Sequence, residues 1–418
     1  MAEFDVRGVQ EELAAAAKFQ DNYDNSTICL IAPASPTVPR YCDDLPLQHN
    51  AITEGLLGHR PYAGAEGFNR IEQIAVNAAR SLFGAEHANV QPHSVSDANA
   101  AAYFALLQPG DAALGMRFDA GGHLTHGMEK NYSGRFYNWQ YYGLAEDGRI
   151  DYDGARQLAE EHKPKLIVCG ASSYPRSIDF EQLADIAQSV GAKLMADVSH
   201  PAGLIAAHRF PQPFPHCDVV TFTPDKTMLG PHGGIILSKE ELAKQIDSAV
   251  HPGIQSSVPL RRIYGMAECL LDAHTAKFTD YIDRVLGNMA VFADVFARQG
   301  DMMVTGGSDT HLMVVDTLNT LGITGKDAEA SLENVGILTN RQVIPNDTQR
   351  PYVASGLRLG ASWITGRGYS QDETRIIAED VIATLQDPQN ERLQAEVRAR
   401  MESILATEHP LDVWGGSY

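Results

Sequence analysis

The stretch 217-CDVVTFTPDKTMLGPHGGIILS-238 holds two apolar, β-rich runs, 217–223 and 233–238, parted by a turn with a single lysine, Lys226. Both runs lack polar alternation, so they read as strands buried on both faces. Upstream, 165-KLIVCGAS-172 and 193-KLMADVS-199 have the same character, and an amphipathic segment, 180-FEQLADIAQSVG-191, joins them. Apolar strands linked by a crossover helix predict an α/β fold with a mainly parallel sheet. Such sheets present ligands at the C-terminal ends of their strands. Lys226 and Asp197 both fall at such ends.

Working outward, 69-NRIEQIAVNAARSLFG-84 repeats apolar residues at helical spacing and stops on Gly84, a residue suited to a helix C-cap. A strand-like run, 88-ANVQPH-93, follows, and 97-DANAAAYFALLQPG-110 reads as a helix halted by Pro109 and Gly110. Residues 25–65 are rich in Pro, Gly and polar turns, with little periodicity. After about residue 275 a long amphipathic helix, roughly 274–299, leads into alternating helices and short strands. The expected organisation is an N-terminal arm (1–65), a large α/β domain (66–275) and a smaller α+β domain (276–418).

The chain has 418 residues, 44% of them hydrophobic, enough for a large core and more than one domain. No apolar run reaches the roughly 18–20 residues that cross a bilayer. The start, MAEFDVRGVQEELAAAAKF, is polar and acidic and reads as a surface helix rather than a secretory signal. The five cysteines, Cys29, Cys42, Cys169, Cys217 and Cys269, are scattered and odd in number. They predict free thiols and a cytoplasmic setting. A formal charge of −20 argues against nucleic acid and anionic membranes as partners.

Four strand-end features carry chemistry. A lysine forced into an apolar pocket has a lowered pKa and attacks carbonyls; the plain alternative for Lys226 is an exposed loop residue. An anion at Asp197 suits the pyridinium nitrogen of pyridoxal 5'-phosphate; alternatively it caps a helix. Ser94 and Ser96 stand where a helix begins, and free N–H groups with the positive helix end cradle a phosphate, although a plain cap is the simpler reading of either serine alone. His123 and His126 in 121-GGHLTHG-127 offer a metal pair. No third ligand at a recognisable spacing completes it, so no metal is expected and His123 reads better as a ring stacked on a flat cofactor. No GxGxxG or GxxxxGK[ST] signature competes.

With these residues in place, the chain resembles the serine hydroxymethyltransferase family from about residue 50 to 385. The resemblance rests on 85-AEHANVQPHS-94, 106-LLQPGD-111, 121-GGHLTHG-127, 201-PAGLIAA-207, 226-KTMLGPHGG-234, 343-VIPND-347 and 355-SGLRLG-360. It implies a fold-type I pyridoxal-phosphate enzyme whose large domain has a mainly parallel seven-stranded sheet. It implies a Schiff base between the cofactor and Lys226, with Asp197 on the ring nitrogen and His123 stacked on the ring. His200 and Ser172 would lie near the phenolic oxygen, Thr223 beside the lysine, and Ser94, Val95 and Ser96 on the phosphate. Arg358 would grip the substrate carboxylate by a bidentate pair, and Glu54 would move protons. Tyr62, with residues 50–65 and 251–262, would reach the partner's site in a homodimer or dimer of dimers with shared sites. Asn346 matches a folate-contacting asparagine.

The departures from the family surround the substrate. Pro33, Ala34 and Ser35 of 31-IAPASPT-37 replace a Ser-Glu-Asn motif, and Ile52 replaces a tyrosine. Pro61 stands where an aromatic would pack on folate, and Phe118 where an aliphatic residue lines its pocket. Val95 replaces a glycine of the phosphate cradle, Asp225 the histidine before the lysine, and Ser256 and Ser257 paired glycines that touch the partner's phosphate. A carboxylate at 225 is expected to turn from the phosphate to a basic or N–H partner. The expected activity is cleavage or formation of the Cα–Cβ bond of a β-hydroxy-α-amino acid, on a specialised small amino-acid substrate with a weakened tetrahydrofolate site. The alternatives are ordinary tetrahydrofolate-dependent serine–glycine hydroxymethyl transfer, a changed pyridoxal-phosphate reaction such as decarboxylation or amino transfer, and a non-catalytic scaffold, against which Lys226, Asp197 and Arg358 speak.

Overall fold

The computed structural model describes residues 6–38, 41 and 53–407. In chain order its strands are β1 (Ile28–Cys29), β2 (His87–Asn89), β3 (Ala112–Met116), β4 (Asn138–Tyr142), β5 (Leu166–Gly170), β6 (Lys193–Asp197), β7 (Val219–Phe222), β8 (Ile235–Ser238), β9 (Leu312–Asp316), β10 (Ile337–Leu338), β11 (Asn340–Gln342) and β12 (Gly356–Gly360). The large sheet has the order β2-β8-β7-β6-β5-β3-β4. β3, β4, β5, β6 and β7 pair in parallel. β8 is antiparallel to both β7 and β2, so it alone runs against the other six.

Every residue of β5, β7 and β8 is buried, as the unbroken apolar runs predict for a sheet covered on both faces. The register sets Gly170 opposite Asp197 and Asp197 opposite Thr221, so the C-terminal ends of β5, β6 and β7 lie level. The crossover helix Phe180–Val190 is capped by Asp179, whose side chain accepts from Gln182 N–H. The helix Glu66–Phe83 ends on Gly84 at φ 65°, as its sequence predicts. It packs against the helix Leu260–Asp272, and Phe83 stacks on Phe222 of β7 at 4.6 Å between centroids.

Three local expectations change. The run 88–93 is a strand only over His87–Asn89. The helix expected from residue 97 starts at Val95 and stops at Leu106, because Leu107 and Gln108 lead into Pro109, which disfavours helical backbone before it. The C-terminal region does hold a small antiparallel sheet, β11-β12-β9. After β12, however, the alternation ends in three helices, Ser362–Gly366, Gln371–Gln386 and Glu391–Leu405.

The N-terminal stretch is of two kinds. The helix Val6–Asn25 exposes most of its described side chains, as expected. Residues 26–36, by contrast, are built into this chain's own fold. β1 pairs in parallel with β10, Leu30 N–H donates to Leu338 O at 2.7 Å, and Gly360 N–H donates to Leu30 O at 2.8 Å. Ile28, Leu30 and Ala32 are buried there, which an unpartnered arm could not achieve. Among the described residues no helix is long and apolar enough to cross a membrane, and Cys29, Cys169, Cys217 and Cys269 are free thiols.

Candidate active site

Lys226 lies four residues beyond the end of β7, in the turn rather than on the strand. It lines a cavity of about 380 Å³ with His123, Ser172, His200, Pro33 and Arg358. Each comes from a segment that follows a parallel strand or from the 26–36 stretch and β12. Burial lowers the Lys226 pKa, while Asp197 and Asp225 pull it back up. The net shift is downward, the direction that favours the nucleophilic amine.

Asp197 ends β6 and is buried. Its Oδ1 accepts from Ser199 N–H at 3.1 Å and from the Ser199 hydroxyl at 2.6 Å. Its Oδ2 accepts from Asn99 at 2.9 Å and faces His126 Nε2 at 3.2 Å. Burial pushes its pKa up, but the His126 hydrogen bond, electrostatic attraction to the His126 and His123 rings, and Ser199 outweigh that and hold it well below the ordinary value. The result is a fixed buried anion at a strand end.

His123, His126 and Asp197 place ligand-type atoms within 4.8 Å of one another. Asp197 is the third ligand that no sequence spacing revealed. The lone pairs are nonetheless engaged. His123 Nδ1 accepts from Thr125 N–H at 3.2 Å and faces the Thr125 hydroxyl at 2.7 Å. His126 Nδ1 accepts from His123 N–H at 3.4 Å, which leaves the proton on Nε2, toward Asp197. Of the two imidazoles only His126 donates to the Asp197 anion, while His123 is bonded to Thr125. Burial pulls the His123 pKa down to about 4, so its ring is neutral at physiological pH.

His200 is buried, with Nδ1 3.1 Å from His311 Nε2 and the two rings stacked at 5.3 Å. Burial, then Lys226 and Arg358, hold both imidazoles neutral, His311 at about 3. Arg358 donates from Nη1 to Ser172 O at 2.6 Å and from Nε to Asn340 Oδ1 at 3.2 Å. Burial alone lowers its pKa to about 10. The guanidinium stays charged, and its remaining N–H groups are free to fork onto a carboxylate.

Ser94 is the N-cap of the helix Val95–Leu106: its hydroxyl accepts from Asp97 N–H at 3.2 Å and donates to Asp97 Oδ2 at 2.8 Å. The capping reading of Ser94 is thus realised. The N–H groups of Val95 and Ser96 remain in the first turn, where no intrahelical acceptor exists. Gly234 packs directly over this end; a Cβ there would lie 2.2 Å from Ser94 O. That close approach explains why the loop after Lys226 carries glycine at 234. Thr223, expected beside the lysine, donates instead to Asp225 Oδ1 at 2.6 Å. Asp225 Oδ2 lies 2.6 Å from His232 Nδ1, so the carboxylate has the basic partner expected of it.

Glu54, Tyr62, Ser256 and Ser257 do not line the Lys226 cavity. They lie on one outer face of the chain. Thr53 donates to Val258 O at 2.7 Å, and His93 Nε2 is 2.8 Å from Ser257 O. Tyr62, 39% exposed, donates to Glu54 Oε2 at 3.4 Å. Asn346 also lies apart, exposed beside a neighbouring hollow, with its N–H on Asp119 at 3.3 Å. Phe118 does line the Lys226 cavity. Ile52 lies outside the described residues. Asn99, Ser199, His311 and Asn340 escaped the sequence reading. His311, in 308-SDTHL-312, carried the one usable signal, a lone histidine immediately before a buried strand.

These residues fit pyridoxal 5'-phosphate: the desolvated Lys226 amine and the neutral His123 imidazole line one cavity, Asp197 is a fixed buried anion bonded to His126, and the helix Val95–Leu106 begins with N–H groups free of intrahelical acceptors. The comparisons with known proteins point the same way. A family model described as serine hydroxymethyltransferase matches residues 6–381. Serine hydroxymethyltransferase of Mycoplasma capricolum is 46% identical over 346 residues, 82% of this chain and 84% of that one. The enzyme of that name from Mycoplasma mycoides is 45% identical over 363 residues, 87% of each chain. That of Lactobacillus acidophilus is 46% identical over 366 residues, 87% of this chain and 89% of that one.

Proposed function

The chain belongs to the serine hydroxymethyltransferase family, fold-type I enzymes that use pyridoxal 5'-phosphate with tetrahydrofolate as substrate, and we propose that it carries out hydroxymethyl transfer between serine and tetrahydrofolate. The observation that carries this reading is identity of about 46% over more than four-fifths of both chains, together with the cavity where Lys226, His123, His200 and Arg358 meet. The expectation of a specialised substrate and a weakened folate site gains no support from these relatives, so the ordinary reaction, first set down as an alternative, becomes the main reading.

In this reading Arg358 binds the substrate carboxylate, its fork aimed by Asn340 and Ser172 O. Lys226 gives up its proton readily because it is desolvated. The bound cofactor supplies an electron sink for the pair released at Cα. Asp197 remains ionised to hold a proton on the ring nitrogen, and Asn99, Ser199 and His126 keep it in place. His123 would hold the face of the cofactor ring, and Ser172 and His200 its phenolic side. The first-turn N–H groups of Val95 and Ser96 would hold the phosphate. Glu54 exchanges the proton of the β-hydroxyl, and Tyr62 holds Glu54. Because Glu54, Tyr62, Ser256 and Ser257 stand on an outer face, two chains share each site in a homodimer, with Thr223 and Asp225 behind the lysine and Asn346 at the folate side. The units 1–65, 66–275 and 276–418 remain the proposed organisation, and the cytoplasm the proposed location.

The test is paired: serine with tetrahydrofolate in one assay, a panel of β-hydroxy amino acids without folate in the other. Folate-dependent serine turnover well above folate-free cleavage is expected. Folate-free cleavage with no serine transfer would restore the specialised reading.

A further inference from the structure

The loop that carries Glu54 has no regular secondary structure, yet one buried side chain ties it down. Arg60 is 0% exposed in its side chain, and its partner Glu72 3%. Arg60 Nε donates to Thr53 O at 3.1 Å, one Nη to Asn69, and the other to the Glu72 carboxylate. The second Glu72 oxygen accepts from Gln91 Nε2 at 2.7 Å, and the same nitrogen donates to Gly55 O at 3.1 Å. The carbonyls on both sides of Glu54 are therefore held by one network. Gly55, at φ +107°, lets the loop fold back so closely that a Cβ would lie 3.0 Å from Arg60 Cα. Gln91 stands three residues before Ser94, so the network also reaches the segment that opens the phosphate-side helix.

A buried ion pair is weak support for stability, since apolar residues of similar size commonly do as well. What Met or Leu could not do is grip the Thr53 carbonyl and two polar side chains of the helix Glu66–Phe83 at once. Only a guanidinium offers donors diverging toward three acceptors. We propose that Arg60, with Glu72 and Gln91, is a positioning device for Glu54, fixing the carbonyls of the residues on either side of it, Thr53 and Gly55, and joining them to the cofactor-side helix. The inference rests on the reading of Glu54 as the proton-carrying carboxylate.

The test compares Arg60→Lys and the double variant Arg60→Met with Glu72→Gln, which removes the buried charge together with its partner and so protects the fold. Both are read in the holoenzyme by cofactor absorption, by the serine-induced shift of that absorption, and by kcat and KM separately. Glu54→Gln is the control. The expected result is a fall in kcat of about thirtyfold or more in both variants, with cofactor content and serine KM changed less than about threefold. Wild-type kcat in the double variant, while Glu54→Gln is impaired, would overturn the inference and leave the proposed function intact. Parallel loss of cofactor binding and kcat would also overturn it, by making Arg60 a fold residue. Wild-type kcat in Glu54→Gln would remove the underlying reading instead.

Discussion

The Asp225 carboxylate lies 2.6 Å from His232 Nδ1 and 2.6 Å from the Thr223 hydroxyl, immediately before Lys226. Asp225 thus raises the lysine's pKa against the lowering effect of burial. Asp225→Asn removes that effect and should lower the Lys226 pKa. Recombination of the apoprotein with pyridoxal 5'-phosphate, followed by absorbance, should then reach its amine-limited plateau at lower pH than in wild type. A shift to higher pH would contradict the assignment. The pair is partly exposed, 26% at Asp225 and 62% at His232, so stability should change by less than about 1 kcal/mol.

Arg358 offers a fork whose aim depends on Asn340 and Ser172 O. Arg358→Lys keeps the charge but loses the paired geometry. The serine KM should rise by about 10–100-fold, the equivalent of about 1.4–2.7 kcal/mol. Cofactor absorption should not change. A KM within about twofold of wild type would show that the carboxylate binds elsewhere.

Glu54 does not line the Lys226 cavity of its own chain. If two chains share each site, Glu54→Gln and Lys226→Ala homodimers are each impaired, but a mixed dimer has one site with both residues intact. Random reassortment of equal amounts makes half of the dimers mixed, so about a quarter of wild-type activity should return on mixing. Additive residual activity only would place Glu54 in its own chain's site.

How much of this was legible in the sequence follows from what kind of physics each feature needs. The strands β5, β7 and β8 were readable because burial on both faces erases polar alternation. Asp197 and Lys226 were readable because a parallel sheet gathers chemistry at one edge. Asn99 was not readable, because a polar residue on an apparently apolar helix gains meaning only when β6 brings Asp197 within 2.9 Å of it. The buried state of residues 26–36 was hidden for a similar reason. β1 is two residues long, and it exists only because β10, some three hundred residues later, supplies its partner.

Asp197 has a pKa depressed below its unfolded value by His126, His123 and Ser199 acting against burial. Its contribution to stability is therefore present above the unfolded pKa of about 4 and is lost as pH falls below it. Asp197→Asn should destabilise the apoprotein at pH 7 by about 1–3 kcal/mol, the range for a buried charge-assisted hydrogen bond. The deficit should shrink toward pH 3 in urea titrations. A deficit independent of pH would mean that packing, rather than ionisation, holds this site.

Three imidazoles at the site pull in the same direction with pH, for a different reason. His123, His200 and His311 all have folded pKa values below the unfolded value of about 6.5. Below that pH the unfolded chain binds protons that the folded chain refuses, so stability falls as pH drops from about 6.5 toward the folded values, about 4 for His123 and about 3 for His311. His311 has no catalytic contact in the reading above, and its Nε2 meets only His200. His311→Gln keeps a polar group for His200 and removes one titrating ring. Between pH 6 and pH 5, urea titrations of the apoprotein should show a slope of stability with pH reduced by up to about 1.4 kcal/mol per pH unit, one proton's worth. An unchanged slope would mean that His311 is protonated in the folded state, and the neutral His200–His311 pair would have to be abandoned.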